Sequence, residues 1–138
     1  MVQEKPWLGF GPSSFYSVYQ SFVDRHFTTY VSNNPEHSGI HNYYLMTAAE
    51  QGLPGLLIFL VLVIAVLITG ESCYHRMEKG PMRDLLLAAL ISFVCNLFIL
   101  SLNDTVETDK LGSIFFLCIA IVIQMKMQGA RSKEQGEK

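Results

Sequence analysis

Residues 53–69 read LPGLLIFLVLVIAVLIT, an apolar run of 17 residues that contains no charged side chain. Two further runs of this kind follow it, and one of them carries Asn96 as a strongly polar interruption. A helix rises about 1.5 Å per residue, so runs of this length cover most of a hydrocarbon core about 30 Å thick. The sequence therefore predicts an all-α integral membrane protein. Its three transmembrane helices are expected at about 53–70, 85–102 and 111–127.

The distribution of basic residues predicts how these helices are oriented. The loop 70–84 carries three Lys or Arg residues and the segment after Met125 carries four, whereas residues 1–51 carry only two. Because loops rich in Lys and Arg stay on the cytoplasmic side, the loop and the C-terminus are predicted to face inward. Residues 1–51 then form an outward-facing loop, and residues 128–138 are predicted to be a disordered cytoplasmic tail.

Charge and cysteine content exclude several classes of function. The net charge is −2, and no basic run has aromatic residues interleaved, so no nucleic-acid partner is expected. Three cysteines are present and none lies in residues 1–51, so no disulfide framework is predicted. His37 and His41 have the spacing of zinc ligands on a helix, but Pro35 and Gly39 oppose a helix there. We therefore expect no metal and no cofactor.

The outward-facing loop is predicted to contain two short helices at the membrane interface. After a turn at residues 9–12, with Ser13 and Ser14 as possible caps, apolar residues recur at helical spacing through residues 15–30. A second helix runs through Glu50, capped by Asn42 or Ser38, before the first membrane-spanning run begins. Gly52 is expected to end or bend this second helix.

His41 is the leading candidate for chemistry in this loop. Imidazole titrates near neutral pH, so His41 can accept a proton from a sugar hydroxyl without a strong perturbation. The alternative is that His41 is an exposed or capping histidine with no catalytic part. The residues alone leave both interpretations open.

The spacing around His41 adds a second kind of information. The chain reads His41-Asn42, then nine residues, then Gly52, two residues and Gly55, with the apolar run directly after. At this point it resembles the O-antigen ligase family, bacterial membrane enzymes related to O-antigen polymerases. The earlier Gly9-Phe10-Gly11 turn is similar to the turn that opens the family's large periplasmic loop, and residues 103–109 resemble a loop of Bacteroidetes members. The resemblance covers essentially residues 5–125.

The resemblance implies a function and a location. Members transfer a glycan from an undecaprenyl-diphosphate-linked donor to a lipid or glycolipid acceptor, commonly lipid A-core, without a metal, as a step of lipopolysaccharide biosynthesis. It places the chain in the bacterial inner membrane, with the N-terminus periplasmic, the C-terminus cytoplasmic and His41 as the general base. Members have more spans, and no signal peptide is visible before residue 53. We therefore expect a C-terminal portion that is inactive by itself and that could pair with a separately encoded N-terminal half.

Three further residues are predicted to bind substrate: Arg25, Asn42 and Glu50. Arg25 is the only arginine on the outward side, and a planar guanidinium binds phosphate oxygens in pairs, so it is the candidate for the donor diphosphate. Its alternative is a solvated helix residue paired with a nearby carboxylate. Glu50 could orient His41 or contact sugar hydroxyls, or it could simply belong to an interfacial helix.

Within the membrane, Asn96 costs free energy unless it meets a partner, so it is predicted to hydrogen bond to another helix.

Three functional hypotheses remain open from the sequence. The first is that the chain belongs to a ligase, with protein O-glycosylation as one choice of acceptor. The second is a polymerase of the same superfamily. The third is a non-catalytic membrane remnant or adaptor.

Overall fold

The computed structural model describes residues 2–22, 41–102 and 109–136, and the regular secondary structure within these ranges is helix, without a strand. The helices are α1 (Phe15–Phe22), α2 (Tyr43–Arg76), α3 (Pro81–Leu102) and α4 (Asp109–Gly136). Three of them contain segments long and apolar enough to cross a membrane: α2, α3 and the part of α4 at Gly112–Ala130. The predicted fold class, all-α with three transmembrane helices, is confirmed.

Most of the apolar surface of these helices faces away from the protein. Only 17% of the most apolar window of α2 is buried, although nearly all of its side chains are hydrocarbon. In a water-soluble helix the apolar residues would form one buried stripe, with polar residues opposite. Exposed side chains such as Ile58, Ile91 and Phe116 instead suit a lipid surrounding.

The helices differ from the prediction at two ends. The third helix does not give way to a disordered tail at residue 128, because α4 continues to Gly136. Residues 130–135 read ARSKEQ, and Ala, Arg, Lys, Glu and Gln all have high helix propensity, so the polar composition that indicated disorder is also compatible with a helix. The first short helix begins at Phe15 as predicted, while residues 23–30 lie outside the described residues.

The chain forms two compact units. The second unit comprises Leu60–Ile99 and Thr105–Lys138. Its core contains a stacked pair of rings, Phe93 of α3 and Phe115 of α4, whose centroids are 5.0 Å apart, with fully buried Leu86 and Val122. Gly70 allows α2 and α3 to approach here, because a Cβ at this position would collide with the side chain of Leu90. Small residues permit the same close approach between membrane helices in general.

Asn96 is buried in this unit, but its described hydrogen bond is not the interhelical bond that the sequence predicts. Its amide Nδ2 donates to the carbonyl oxygen of Ser92, one turn earlier in α3, at 2.8 Å. An i−4 carbonyl lies within reach of an Asn side chain on the same helix, so the amide can be partnered without a second helix. This bond therefore gives no support to a pairing of the chain with a separately encoded N-terminal half through Asn96.

The first unit comprises Met1–Phe59 and Leu100–Asp104. Within it α2 is broken at Gly52, which has φ 74° and ψ −178°. The ring of Tyr43 lies 5.3 Å from the ring of Phe59, whereas a continuous helix would separate these residues by about 24 Å along its axis. Residues 43–51 therefore fold back beside the start of the membrane span as a separate short helix. This confirms the expectation that Gly52 ends or bends the second helix.

Candidate functional site

The break in α2 exposes backbone groups that a continuous helix would satisfy. The carbonyl of Glu50 would accept from the N–H of residue 54, but Pro54 has none. The carbonyl of Ala49 would accept from Leu53, but Gly52 turns that N–H away. Buried backbone groups require partners, and most strongly so beside a membrane. The break therefore creates two orphan acceptors and one orphan donor at one place.

The N-terminal turn supplies all three partners. The N–H of Phe10 donates to the carbonyl of Ala49 at 3.1 Å, and the N–H of Gly11 donates to the carbonyl of Glu50 at 2.8 Å. The N–H of Leu53 donates in return to the carbonyl of Pro6 at 2.8 Å. The turn at residues 6–11 is thus fixed to the broken helix by backbone hydrogen bonds that do not depend on side-chain identity.

Two glycines make this approach possible. A Cβ on Gly52 would lie 2.6 Å from the carbonyl oxygen of Trp7, and a Cβ on Gly9 would collide with the carbonyl of Glu50. Both residues also have positive φ, 61° for Gly9 and 74° for Gly52, which side-chain-bearing residues rarely adopt. The structure therefore brings together Gly9 and Gly52, two of the four glycines that the sequence singles out. Gly11 has φ 104° with open space around it, and Gly55 lies in the first turn after the break, close to Gln51.

Glu50 fixes α1 to the same place through its side chain. Its two carboxylate oxygens accept the N–H groups of Ser13, at 3.0 Å, and of Phe15, at 3.2 Å, and the side chain is only 4% exposed. The first N–H groups of a helix lack intrahelical partners and carry a partial positive charge, so a buried carboxylate suits them. These N–H groups are therefore capped by Glu50, whereas the hydroxyl of Ser14, which the sequence indicated with Ser13 as a possible cap, donates to the carbonyl of Gly11.

These contacts bear on the predicted role of Glu50. From Tyr43 to Glu50 the helix rises about 10 Å, so the carboxylate cannot hydrogen bond to an imidazole that precedes Tyr43. The orientation of His41, which was one of the roles that the sequence left open for Glu50, therefore has no support from the described hydrogen bonds of its carboxylate. A contact with a sugar hydroxyl would require the carboxylate to leave two backbone N–H groups inside a buried site.

No family model, curated protein or solved structure matches this chain. The chemistry of the site therefore has to be inferred from the residues that the fold brings together.

His41 is exposed and lies two residues before Tyr43, the first residue of α2. Its neighbour Asn42 caps that helix, because the side-chain Oδ1 accepts the N–H of Leu45 at 3.0 Å and the backbone carbonyl accepts the N–H of Met46 at 3.0 Å. Asn42 was one of the two caps predicted for this helix, and the hydrogen bond confirms it. An N-cap of this kind satisfies an N–H group of the first turn and so fixes the start of the helix at Asn42, next to His41.

The same side chain also reaches a second helix end. The amide Nδ2 of Asn42 donates to the carbonyl of Ser101 at 2.9 Å, in the last turn of α3, where carbonyls have no intrahelical partner. Asn42 therefore caps the start of α2 and the end of α3 at once. His41 is held beside the end of an apolar span, and both polar atoms of the neighbouring amide are occupied by backbone groups.

The described residues do not include every part of the predicted site. Arg25 lies outside them, as do His37, Ser38 and residues 103–108, so the predicted diphosphate contact has no described geometry. Within residues 2–22, 41–102 and 109–136, no cluster of three or more His, Cys, Asp or Glu side chains is arranged to hold a metal ion. The described site is an exposed imidazole next to a helix start that is held by hydrogen bonds to backbone groups.

Sequence reasoning missed the docking of residues 6–11 onto the break in α2. A signal for it was present, because Gly52 followed by Pro54 leaves carbonyls without donors. That pattern indicates carbonyl groups without a hydrogen-bond donor, but it does not predict which segment of the chain supplies the donors.

Proposed function

We propose that this chain forms part of a membrane glycosyltransferase of the O-antigen ligase type. It would transfer a glycan from undecaprenyl diphosphate to a lipid A-core or similar acceptor at the periplasmic face of the bacterial inner membrane. The observation that carries the proposal is the exposed position of His41 beside the end of α3, on a helix start fixed by Asn42. A lipid-linked donor presents its diphosphate at the same boundary between apolar helix ends and water.

In the proposed reaction His41 acts as the general base. A hydroxyl oxygen of the acceptor attacks the anomeric carbon of the donor sugar, and its proton passes to the neutral imidazole of His41. The bond between the anomeric carbon and the diphosphate oxygen breaks, and the diphosphate leaves with the electron pair. A positioned base contributes typically 10²–10⁴-fold to such a step.

The backbone contacts next to His41 support this role. A base must be held within about hydrogen-bonding distance of the proton that it removes, so a fixed backbone direction is worth more than a mobile one. Asn42 fixes that direction at one end of residues 43–51, and the backbone bonds of Phe10 and Gly11 fix the other end. The pattern that carries the family resemblance, His41-Asn42 followed by Gly52, therefore coincides with both fixed ends.

Arg25 remains the proposed ligand of the leaving diphosphate, and the reaction is proposed to be metal-independent, both from the family resemblance. The partners proposed are the lipid-linked glycan donor and the glycolipid acceptor. A separately encoded N-terminal half is a further proposed partner, because the donor diphosphate needs more cationic groups than residues 1–51 supply.

The test is substitution of His41 in the native gene, with glycan attachment as the readout. His41→Ala and His41→Gln are expected to abolish attachment and to leave finished glycan on undecaprenyl diphosphate, at unchanged protein abundance. His75→Gln is the matched control, because His75 is also an exposed histidine at an end of α2. Normal attachment in both His41 variants would overturn the catalytic role and favour an adaptor.

The same experiment separates the acceptors. Loss of attachment with normal chain length on the carrier identifies a ligase, and loss of chain length identifies a polymerase. Loss of glycan from secreted proteins identifies protein O-glycosylation.

A further inference from the structure

Trp7 and Leu8 are the two most exposed large apolar side chains among the described residues, with 73% and 85% of their surfaces accessible. Their exposure has a structural cause. The backbone of this turn faces α2, since the carbonyls of Pro6 and Trp7 meet Leu53 and Gly52. The side chains of residues 7 and 8 are consequently directed outward by a backbone that is itself firmly held.

The position of this turn along α2 is fixed by one hydrogen bond. The carbonyl of Pro6 accepts the N–H of Leu53 at 2.8 Å, and Leu53 is the first residue of the apolar run 53–69. The outward faces of Leu53 and Leu57 are exposed and apolar as well, at 47% and 62%. Along the axis of α2, Trp7 and Leu8 therefore lie at the height of Leu53, where the apolar surface of the helix begins. Their side chains add to that apolar surface beside the helix.

We propose that Trp7 and Leu8 insert into the lipid bilayer at the boundary between headgroups and acyl chains, as an anchor that sets the depth of the broken helix. Tryptophan is enriched at this level because its ring is largely apolar while its N–H needs a polar partner. Leu8 adds hydrocarbon surface on the acyl-chain side. Lys5 lies on the same turn with its Nζ 4.9 Å from the centre of the Phe10 ring, which keeps a positive charge at headgroup level.

This anchor does not depend on the proposed glycosyl transfer. It follows from exposure, from the Pro6–Leu53 hydrogen bond and from the apolar run, all of which would be the same in a non-catalytic membrane protein. Its consequence for the site is mechanical. The turn at residues 6–11 binds the carbonyls of Ala49 and Glu50, and the bilayer would fix the depth of this turn. The short helix 43–51, and with it His41, would therefore stay at a constant depth in the membrane.

The chain offers a direct probe, because Trp7 is its only tryptophan. The full chain is reconstituted in phosphatidylcholine vesicles whose acyl chains carry bromine either near the headgroup or near the bilayer centre, and Trp7 emission is recorded. We expect stronger quenching by the shallow bromines than by the deep ones, and weak quenching by iodide added to the water.

The depth scale comes from a matched variant, Trp7→Phe combined with Ile58→Trp. Ile58 is exposed on the same helix, five residues beyond Leu53, so its level is about 7–8 Å deeper. Its quenching profile is expected to shift toward the deep bromines. Strong quenching of Trp7 by iodide with none by either brominated lipid would place it in water and overturn the proposal. Quenching of Trp7 by neither iodide nor bromine would place it under protein and overturn the proposal equally.

Discussion

The carboxylate of Glu50 accepts the backbone N–H of Phe15 at 3.2 Å and so joins two residues that are 35 positions apart in the chain. Phe15 is the first residue of α1, and Glu50 lies in the short helix that follows His41. The start of α1 is therefore determined by a residue outside its own sequence. Because the carboxylate is buried, this cap also fixes α1 to the break at Gly52.

Replacing Glu50 should release α1. Glu50→Ala leaves the buried N–H of Phe15 and the partly buried N–H of Ser13 without this acceptor, which costs about 1–3 kcal/mol of unfolding free energy. Glu50→Gln keeps one acceptor oxygen and should lose less. The measurement is unfolding in detergent together with hydrogen exchange of residues 13–18. Glu78→Ala, at an exposed residue between α2 and α3, is the control, and parent-like exchange in Glu50→Ala would contradict the cap.

Three alanine substitutions separate backbone strain from steric collision at the break. A side chain at positive φ costs roughly 1–2 kcal/mol, which applies to Gly9 and Gly11. Gly52, at φ 74° and ψ −178°, lies in a region that is essentially confined to glycine, where the cost is roughly 1–3 kcal/mol. Gly9→Ala and Gly52→Ala add a collision with backbone atoms, whereas Gly11→Ala meets open space. The first two should therefore destabilise more, and they should accelerate amide exchange at Phe10.

Gly80→Ala is the control for this series, because Gly80 has neither a positive φ nor a near neighbour for the added methyl group. Similar losses for Gly9→Ala and Gly11→Ala would show that the close approach of residues 9 and 52 contributes nothing to stability.

Asn42 makes two separable contributions. Asn42→Ala removes the cap of α2, worth about 1 kcal/mol, and the hydrogen bond to the Ser101 carbonyl, worth about 1 kcal/mol more. Asn42→Ser retains an oxygen that caps α2 but has no amide to donate to Ser101. Unfolding in detergent should rank the parent above the serine variant and the serine variant above the alanine variant. If the parent and the serine variant were equally stable, the hydrogen bond to the Ser101 carbonyl would contribute nothing to the free energy of unfolding.

The orientation of the chain can be tested with single cysteines in a background lacking Cys73, Cys95 and Cys118. Ser13→Cys and Lys79→Cys place thiols at exposed positions on opposite sides of the predicted topology. Because basic loops are retained in the cytoplasm, a membrane-impermeant maleimide should label position 13 in cells with a permeabilised outer membrane. Position 79 should react only after the inner membrane is broken. The reverse pattern would remove His41 from the periplasmic face and with it the proposed function.

Part of the site follows from local sequence alone. Asn42 before an apolar-periodic segment predicts a helix cap, and Gly52 before Pro54 predicts an interrupted helix, because both signals act within about one turn. The structure confirms both. The Glu50–Phe15 cap and the Asn42–Ser101 bond could not be predicted in this way. Each depends on which residues the folded chain places next to an orphan backbone group, and helical spacing carries no such information.

The sequence by itself determined three helices able to cross a membrane, because hydrocarbon length is a property of a single uninterrupted run. It also determined the break at Gly52, since a missing N–H at residue 54 and a positive φ are local constraints. Only the tertiary structure decided what closes the break. The turn at residues 6–11 supplies donors and an acceptor at the required distances, because two glycines without side chains let the two backbones approach.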